Sequence, residues 1–381
     1  MMYRAGLRVL LATFLLISVL LAWLALTESG LSAVLSLSQK LVPELTVKKV
    51  SGRLLDGAVF EQINYQVDEH NRVSINNLTL SWQAAQLIRG RLTINELLID
   101  DVLMTQQGNG AQTSTPISLP AISSPLVLSL KKVRVNTLTV QQGQAMTQPI
   151  RNLQAALSLW GDILTIDALS LDSTGKAGLK LNGSIQLSGD YPTTLAYEWF
   201  AKDPTLKGLA GKGDIKGNAS ELRVEQRVIK PMQSTSVLTI KNLLGKLSWQ
   251  MNARIAQLNL ADYVDGQTGH LNSIQLTAQG DINQADIKFD AGYQQEGWPV
   301  LAWSAQLLSK DLDSWTLNSI LANENGLRLS LYGAVNNVMT LPILELTGQW
   351  QQLAWPMSNG ASGIASRSGE LTIQGGLDEY K

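Results

Sequence analysis

The chain has no cysteine among its 381 residues, and that absence removes disulfide frameworks, thiolate metal sites and cysteine nucleophiles together. Histidine is almost as scarce: His70 and His270 are the only two, too few for a multi-histidine zinc site. Charged residues make up 16% of the chain, below the usual quarter of a soluble domain. The formal net charge is −1 and no long basic run occurs, so the electrostatic footprint of a nucleic-acid binder is missing and no such partner is expected. Catalytic signatures are lacking as well. There is no G-x-S-x-G elbow, and Asp100-Asp101, adjacent on a strand, would point to opposite faces. The glycine-rich stretch from Gly208 to Gly217 is followed by alternating residues, not by the helix that a phosphate-binding loop feeds. The composition therefore points away from enzymes, metal sites and resident cofactors.

Thr, Ser, Asn and Gln fill the place of the missing charge, a mix suited to sheet surfaces. One long apolar run stands apart. From Val9 to Thr27 there are 19 consecutive uncharged residues, which as a helix span roughly 30 Å, the thickness of a bilayer core. Val9, Leu10, Leu15, Leu16, Leu20 and Leu21 supply its hydrophobic mass, and Trp23 sits near an expected interface. Arg4 and Arg8 precede the run and Glu28 follows it, which puts the N-terminus in the cytoplasm and the bulk across the membrane. A cleaved signal peptide would have a shorter apolar region and small residues at its cleavage site. The run accordingly reads as an uncleaved anchor. Residues 1–28 form the cytoplasmic end and transmembrane helix, and residues 29–43 a short helical connector that Pro43 stops.

Beyond Pro43 the dominant signal is period-two alternation, in runs broken too often by Gly, Asn and Asp to be helices. Val73, Ile75, Leu78, Leu80 and Trp82 alternate with Ser, Asn and Thr, with a phase slip at Asn76-Asn77 that reads as a bulge. A sub-motif recurs in which an apolar pair meets Asn or Asp and then Leu-x-Leu: Ile75 to Leu80, Ile94 to Ile99, and Ile166 to Leu171. A second type starts with glycine, at Gly183-Ser184-Ile185, Gly213-Asp214-Ile215 and Gly280-Asp281-Ile282, each read as opening a new strand. Such self-similarity means stacked β units. Residues 44–381 thus read as one elongated repetitive β region with loops at 106–125 and 357–369, and the alternating run that opens at Glu370 reads as continuing past Lys381.

A sheet with one apolar face must hide that face from water, at about 25 cal/mol per Å². A second sheet could cover it, which would need no function, or the sheet could curl and leave an apolar channel for a lipophilic guest. The residues nominated to line such a channel are Ile75, Leu78, Leu80, Ile94, Leu97, Ile99, Leu128, Leu130, Val133, Val135, Leu157 and Leu159.

Several segments resemble the TamB family of the AsmA-like group: Thr27-Glu28-Ser29-Gly30-Leu31 after the anchor, Leu41-Val42-Pro43-Glu44-Leu45, Val50-Ser51-Gly52-Arg53-Leu54, the strands from Val73 to Met104, and Val133-Arg134-Val135-Asn136-Thr137-Leu138. The likeness covers roughly the first 170 residues. It implies a bacterial single-pass inner-membrane protein with a periplasmic, taco-like β-sheet whose apolar interior passes phospholipid towards the outer membrane. It also implies contact with an outer-membrane barrel of the TamA type, through a C-terminal region for which this sequence shows no counterpart, so that the chain reads as a fragment or a small relative. A different expectation is an assembly factor for outer-membrane or secreted proteins that pairs its sheet edge with theirs.

Overall fold

The computed structural model describes residues 26–68, 71–106, 119–143, 145–146, 149–173, 177–202, 208–230, 232–262, 268–355, 357 and 363–376. Most of them are strand. Helix α1 (Glu28–Leu41) opens on Thr27, whose hydroxyl accepts the Gly30 amide as an N-cap, and it buries Gly30 and Leu31 while packing chiefly against a short early strand, Val50–Arg53. No helix among the described residues is long and apolar enough to cross a membrane. The anchor residues Val9 to Trp23 and the flanking Arg4 and Arg8 lie outside the described residues.

The strands fall into two units. The first holds β1 (Leu45–Val47), β2 (Val50–Arg53), β3 (Gly57–Gln66), β4 (Asn71–Trp82), β5 (Arg91–Gln106), β6 (Ser124–Gln142), β7 (Ala145–Met146), β8 (Ile150–Gly161), β9 (Ile163–Ser173), β10 (Ala177–Gln186) and β11 (Thr193–Ala201). Strands β1 and β2 both pair with β3, and β7 pairs only with the end of β6. The remaining ladder runs β3-β4-β5-β6-β8-β9-β10-β11, antiparallel except for the parallel β5–β6 pair. The second unit is an uninterrupted antiparallel meander: β12 (Ala210–Gly217), β13 (Glu221–Lys230), β14 (Ser234–Lys241), β15 (Ser248–Asn259), β16 (His270–Asp281), β17 (Ala285–Gln294), β18 (Leu301–Ser309), β19 (Trp315–Ala322), β20 (Arg328–Asn336), β21 (Ile343–Trp355) and β22 (Ile364–Gly376). Among the described residues, no pairing joins the first strand of either ladder to its last, so neither sheet closes.

The recurring Asn/Asp sub-motif has a clear physical role. On β5, apolar pairs Leu92/Ile94, Leu97/Ile99 and Val102/Met104 are separated by the doublets Asn95-Glu96 and Asp100-Asp101. On β6, Leu128/Leu130, Val133/Val135 and Leu138/Val140 are separated by Lys131-Lys132 and Asn136-Thr137. Two polar residues in succession shift the phase of the alternation, and both strands shift at the same level because each pair on β5 sits beside its equivalent on β6. Lys132 Nζ bonds Glu96 Oε1, and Asn136 Nδ2 donates to Asp100 Oδ1 at 3.1 Å, tying doublet to doublet. Asn77 on β4 and Asn152 on β8 complete the step with φ of 49° and 53°, the left-handed region that an Asn side chain tolerates.

Two expectations need correction. Gly183, Gly213 and Gly280 do not open strands: the first two lie inside β10 and β12, and Gly280 stands one residue before the end of β16. At Gly183 the reason is close approach, since an added Cβ would stand 2.1 Å from the Thr194 carbonyl oxygen. Residues 364–369 belong to β22, not to a loop; Gly369 lies opposite Trp350 and under its ring, so small residues there make room for an aromatic neighbour.

Candidate functional site

Cross-strand partners project from the same face of a sheet, so the registers alone decide which side chains share a surface. In the first unit one row runs Ala58, Leu80, Leu97, Val133, Ala155, Leu169, Leu181, Tyr197. Beside it run Phe60, Leu78, Ile99, Val135, Leu153 on one side and Trp82, Ile94, Leu130, Leu157, Ile166, Gly183, Leu195 on the other. Ile63, Ile75, Val102, Leu138, Ile150 form a fourth row, and Leu92, Leu128, Leu159, Leu164, Ile185 a fifth. Every nominated residue falls in one of these five rows. The structure therefore brings Ile75, Leu78, Leu80, Ile94, Leu97, Ile99, Leu128, Leu130, Val133, Val135, Leu157 and Leu159 onto a single face. The opposite face is mainly polar: Thr79, Leu98, Arg134, Gln154, Ser170, Lys180 and Glu198 follow one another across it, with Leu98 the one apolar member of the row.

The second unit has the same two-sided construction. Ile215, Val224, Leu238, Met251, Ala278, Ile287, Leu307, Leu317, Gly333, Leu346 and Ile373 form one unbroken row from β12 to β22. Asp214, Glu225, Val237, Asn252, Thr277, Lys288, Gln306 and Asn318 form a row on its other face. None of the second unit's apolar row was nominated from the sequence. The signal was the same alternation, diluted by Gly, Gln, Ser and Ala on the apolar side, as at Gly213, Gln226, Ser236 and Ala253 in the neighbouring row. Val102, Leu138 and Leu153 of the first unit share this face and were not nominated either.

These faces are only partly covered. Of the nominated residues, Ile99 and Val135 are 9% exposed and the others are half-buried. Across all described residues, one large side chain, Leu301 at 1%, is completely enclosed. Neighbours within a face pack on each other, as Ile99, Val102 and Val135 do with Ile75, Leu78, Leu97 and Leu153.

On the polar face, charges meet in exposed pairs such as Lys49 with Glu61 and Arg223 with Glu225. Turn carboxylates are held by donors: the Asn283 amide, joined by the amide and side chain of Gln284, keeps the Asp281 carboxyl below its ordinary value. Asp100 and Asp101 are both exposed, and Asp100 is occupied by Asn136. His270 begins β16 between Asn259 and Gln294, and His70 lies outside the described residues. Among the described residues no group of three metal-ligating side chains occurs.

An open sheet with one polar face and one apolar, half-exposed face defines a class: a β-scaffold that offers hydrocarbon-like surface along its strands. The family follows from comparison with known proteins. The chain belongs to the TamB N-terminal domain family, which it matches over residues 16–116 and 105–338. No curated protein and no solved structure matches it.

Proposed function

We propose that the protein is a membrane-anchored lipid conduit, in which phospholipid acyl tails slide over the apolar face while headgroups stay at the wet opening of a groove. The anchor is the run Val9 to Thr27, and the sheet lies in the periplasm of a bacterial cell, between inner and outer membranes. No residue does covalent chemistry; the work is solvation of hydrocarbon. The observation that carries this reading is the register of apolar rows from strand to strand on a face that stays half-exposed, because surface of that kind left to water costs about 25 cal/mol per Å². Membership of the TamB N-terminal domain family supports it. A barrel of the TamA type is the partner this reading expects at the outer membrane.

A photo-reactive phospholipid, applied to the full chain in native membranes, tests the reading. Adducts are expected on Leu97 and Leu130 and not on Arg134, and Val135→Asp should abolish the labelling nearby because a carboxylate cannot be buried against hydrocarbon without large cost. Labelling that ignores the two faces, or no co-purified phospholipid by native mass spectrometry, would overturn it. One observation favours an assembly role instead: β22 pairs only with β21 among the described residues, leaving an edge that could take a strand from a client. Proline substitutions along β22 would block that role and leave lipid labelling intact.

A further inference from the structure

The apolar face of the second unit is not uniform. Beside Leu301 and Leu271, 1% and 7% exposed, it folds into a cavity of about 440 Å³. The rings of Tyr293 and Trp303 form part of the wall, with Leu321 and Leu329 from β19 and β20. Three connections contribute apolar side chains from beyond the strand ends: Leu260 after β15, Trp298 between β17 and β18, and Met357 after β21. Edge-to-face contacts stiffen the walls, Phe289 on Trp303 at 4.9 Å and Tyr293 on Trp298 at 6.1 Å.

The lining decides what can enter. It includes no charged residue, and the Ser319 hydroxyl already accepts the Trp303 indole N–H at 2.9 Å. Two other cavities of the unit differ, for one is lined by Lys241, Asp281 and Lys310 and the other by Arg227 and Arg254. A charged or strongly polar ligand would lose its hydration here without replacement. A peptide strand would bring amide and carbonyl groups that find few partners in such a lining. Hydrocarbon brings neither problem.

We propose that this ring-walled cleft is a holding site for the end of one acyl tail, so that a lipid pauses in the second unit with its tail end seated among the rings and the rest along the open face. The proposal rests on the lipid reading of the apolar face and adds to it a place where transit is interrupted. A cleft of fixed size selects by chain length: each methylene that finds room against its walls should strengthen binding about fourfold, and further length should add little once the cleft is full.

The test places a photo-reactive amino acid at Leu321, inside the cavity, or at Leu238, on the apolar face outside it, in the full chain with phosphatidylglycerol vesicles. Phospholipid adducts are counted by mass spectrometry. The expected result is capture at both positions, several-fold higher at Leu321, with Leu331→Trp, which fills the cavity, cutting the Leu321 yield at least fivefold and leaving Leu238 unchanged. Retained strand content by circular dichroism shows that the filled variant is folded. Capture at Leu238 without preference for Leu321, or a Leu321 yield indifferent to Leu331→Trp in folded protein, would overturn the holding site and leave the conduit standing. Capture at neither position would overturn both.

Discussion

Gly183 holds φ 135° in the interior of β10, where the strand changes register against β9 and a Cβ would press into the Thr194 carbonyl. An L-residue there must move the β11 backbone or abandon its own conformation. Gly183→Ala should therefore lower the local stability of the β10–β11 pair by about 2 kcal/mol, read as faster hydrogen exchange of those amides. Gly245 is the matched control. It has open space around its would-be Cβ, and Gly245→Ala should change exchange by no more than about 0.5 kcal/mol. Equal effects of the two substitutions would show that the close approach at Gly183 is not a constraint. Asn77 and Asn152 solve a related problem with a polar side chain, taking the left-handed backbone that lets alternation restart on the correct face.

The turns between strands depend on carboxylates, and that dependence has a pH signature. Asp281 closes β16 and gathers the Asn283 amide at 2.7 Å, the Gln284 amide at 3.1 Å and the Gln284 side chain at 2.9 Å. These donors favour the ionised form and hold its carboxyl below the ordinary value of 3.8. Asp311 does the same for the Ser314 and Asp313 amides. A depressed carboxyl contributes stability that is complete above its unfolded value and is lost as pH falls through the folded one. The β16–β17 and β18–β19 turns should thus keep their amide protection at pH 5 and lose it below pH of about 3.8. Asp281→Ala should be unprotected at both; unchanged protection of the Asn283 amide at low pH would refute the assignment. Elements of this kind also show what the sequence made legible. Alternation located the strands and put every nominated residue on one face, because Leu-x-Leu and Val-x-Val pairs carry their phase with them across a doublet. Three features depend on a distant neighbour and leave no local trace. They are the Gly369 seat for Trp350, the parallel pairing of β5 with β6, and the cavity assembled from Leu260, Trp298 and Met357.

At the scale of the whole molecule, the balance of burial sets what must happen when lipid is removed. A closed domain hides its apolar faces against one another, whereas here each unit leaves a face half-exposed and encloses little. If hydrocarbon occupies that face only in the folded state, it stabilises the fold by mass action, by about 2.7 kcal/mol when the free lipid is a hundred times its dissociation constant. For units of this size that corresponds to a fall in Tm of roughly 5 to 10 °C on stripping the lipid. The measurement is a thermal scan of protein purified with its lipids, of the same protein after extraction, and of the extracted protein returned to phosphatidylglycerol vesicles. Extraction should lower Tm, and vesicles should restore it. Val135→Asp, which places a carboxylate among Ile99, Leu97 and Leu153, should weaken the restoration because the tail can no longer lie across that row. Identical melting in all three preparations would mean that the apolar rows find their cover within the protein itself, and no lipid would then be needed to explain them.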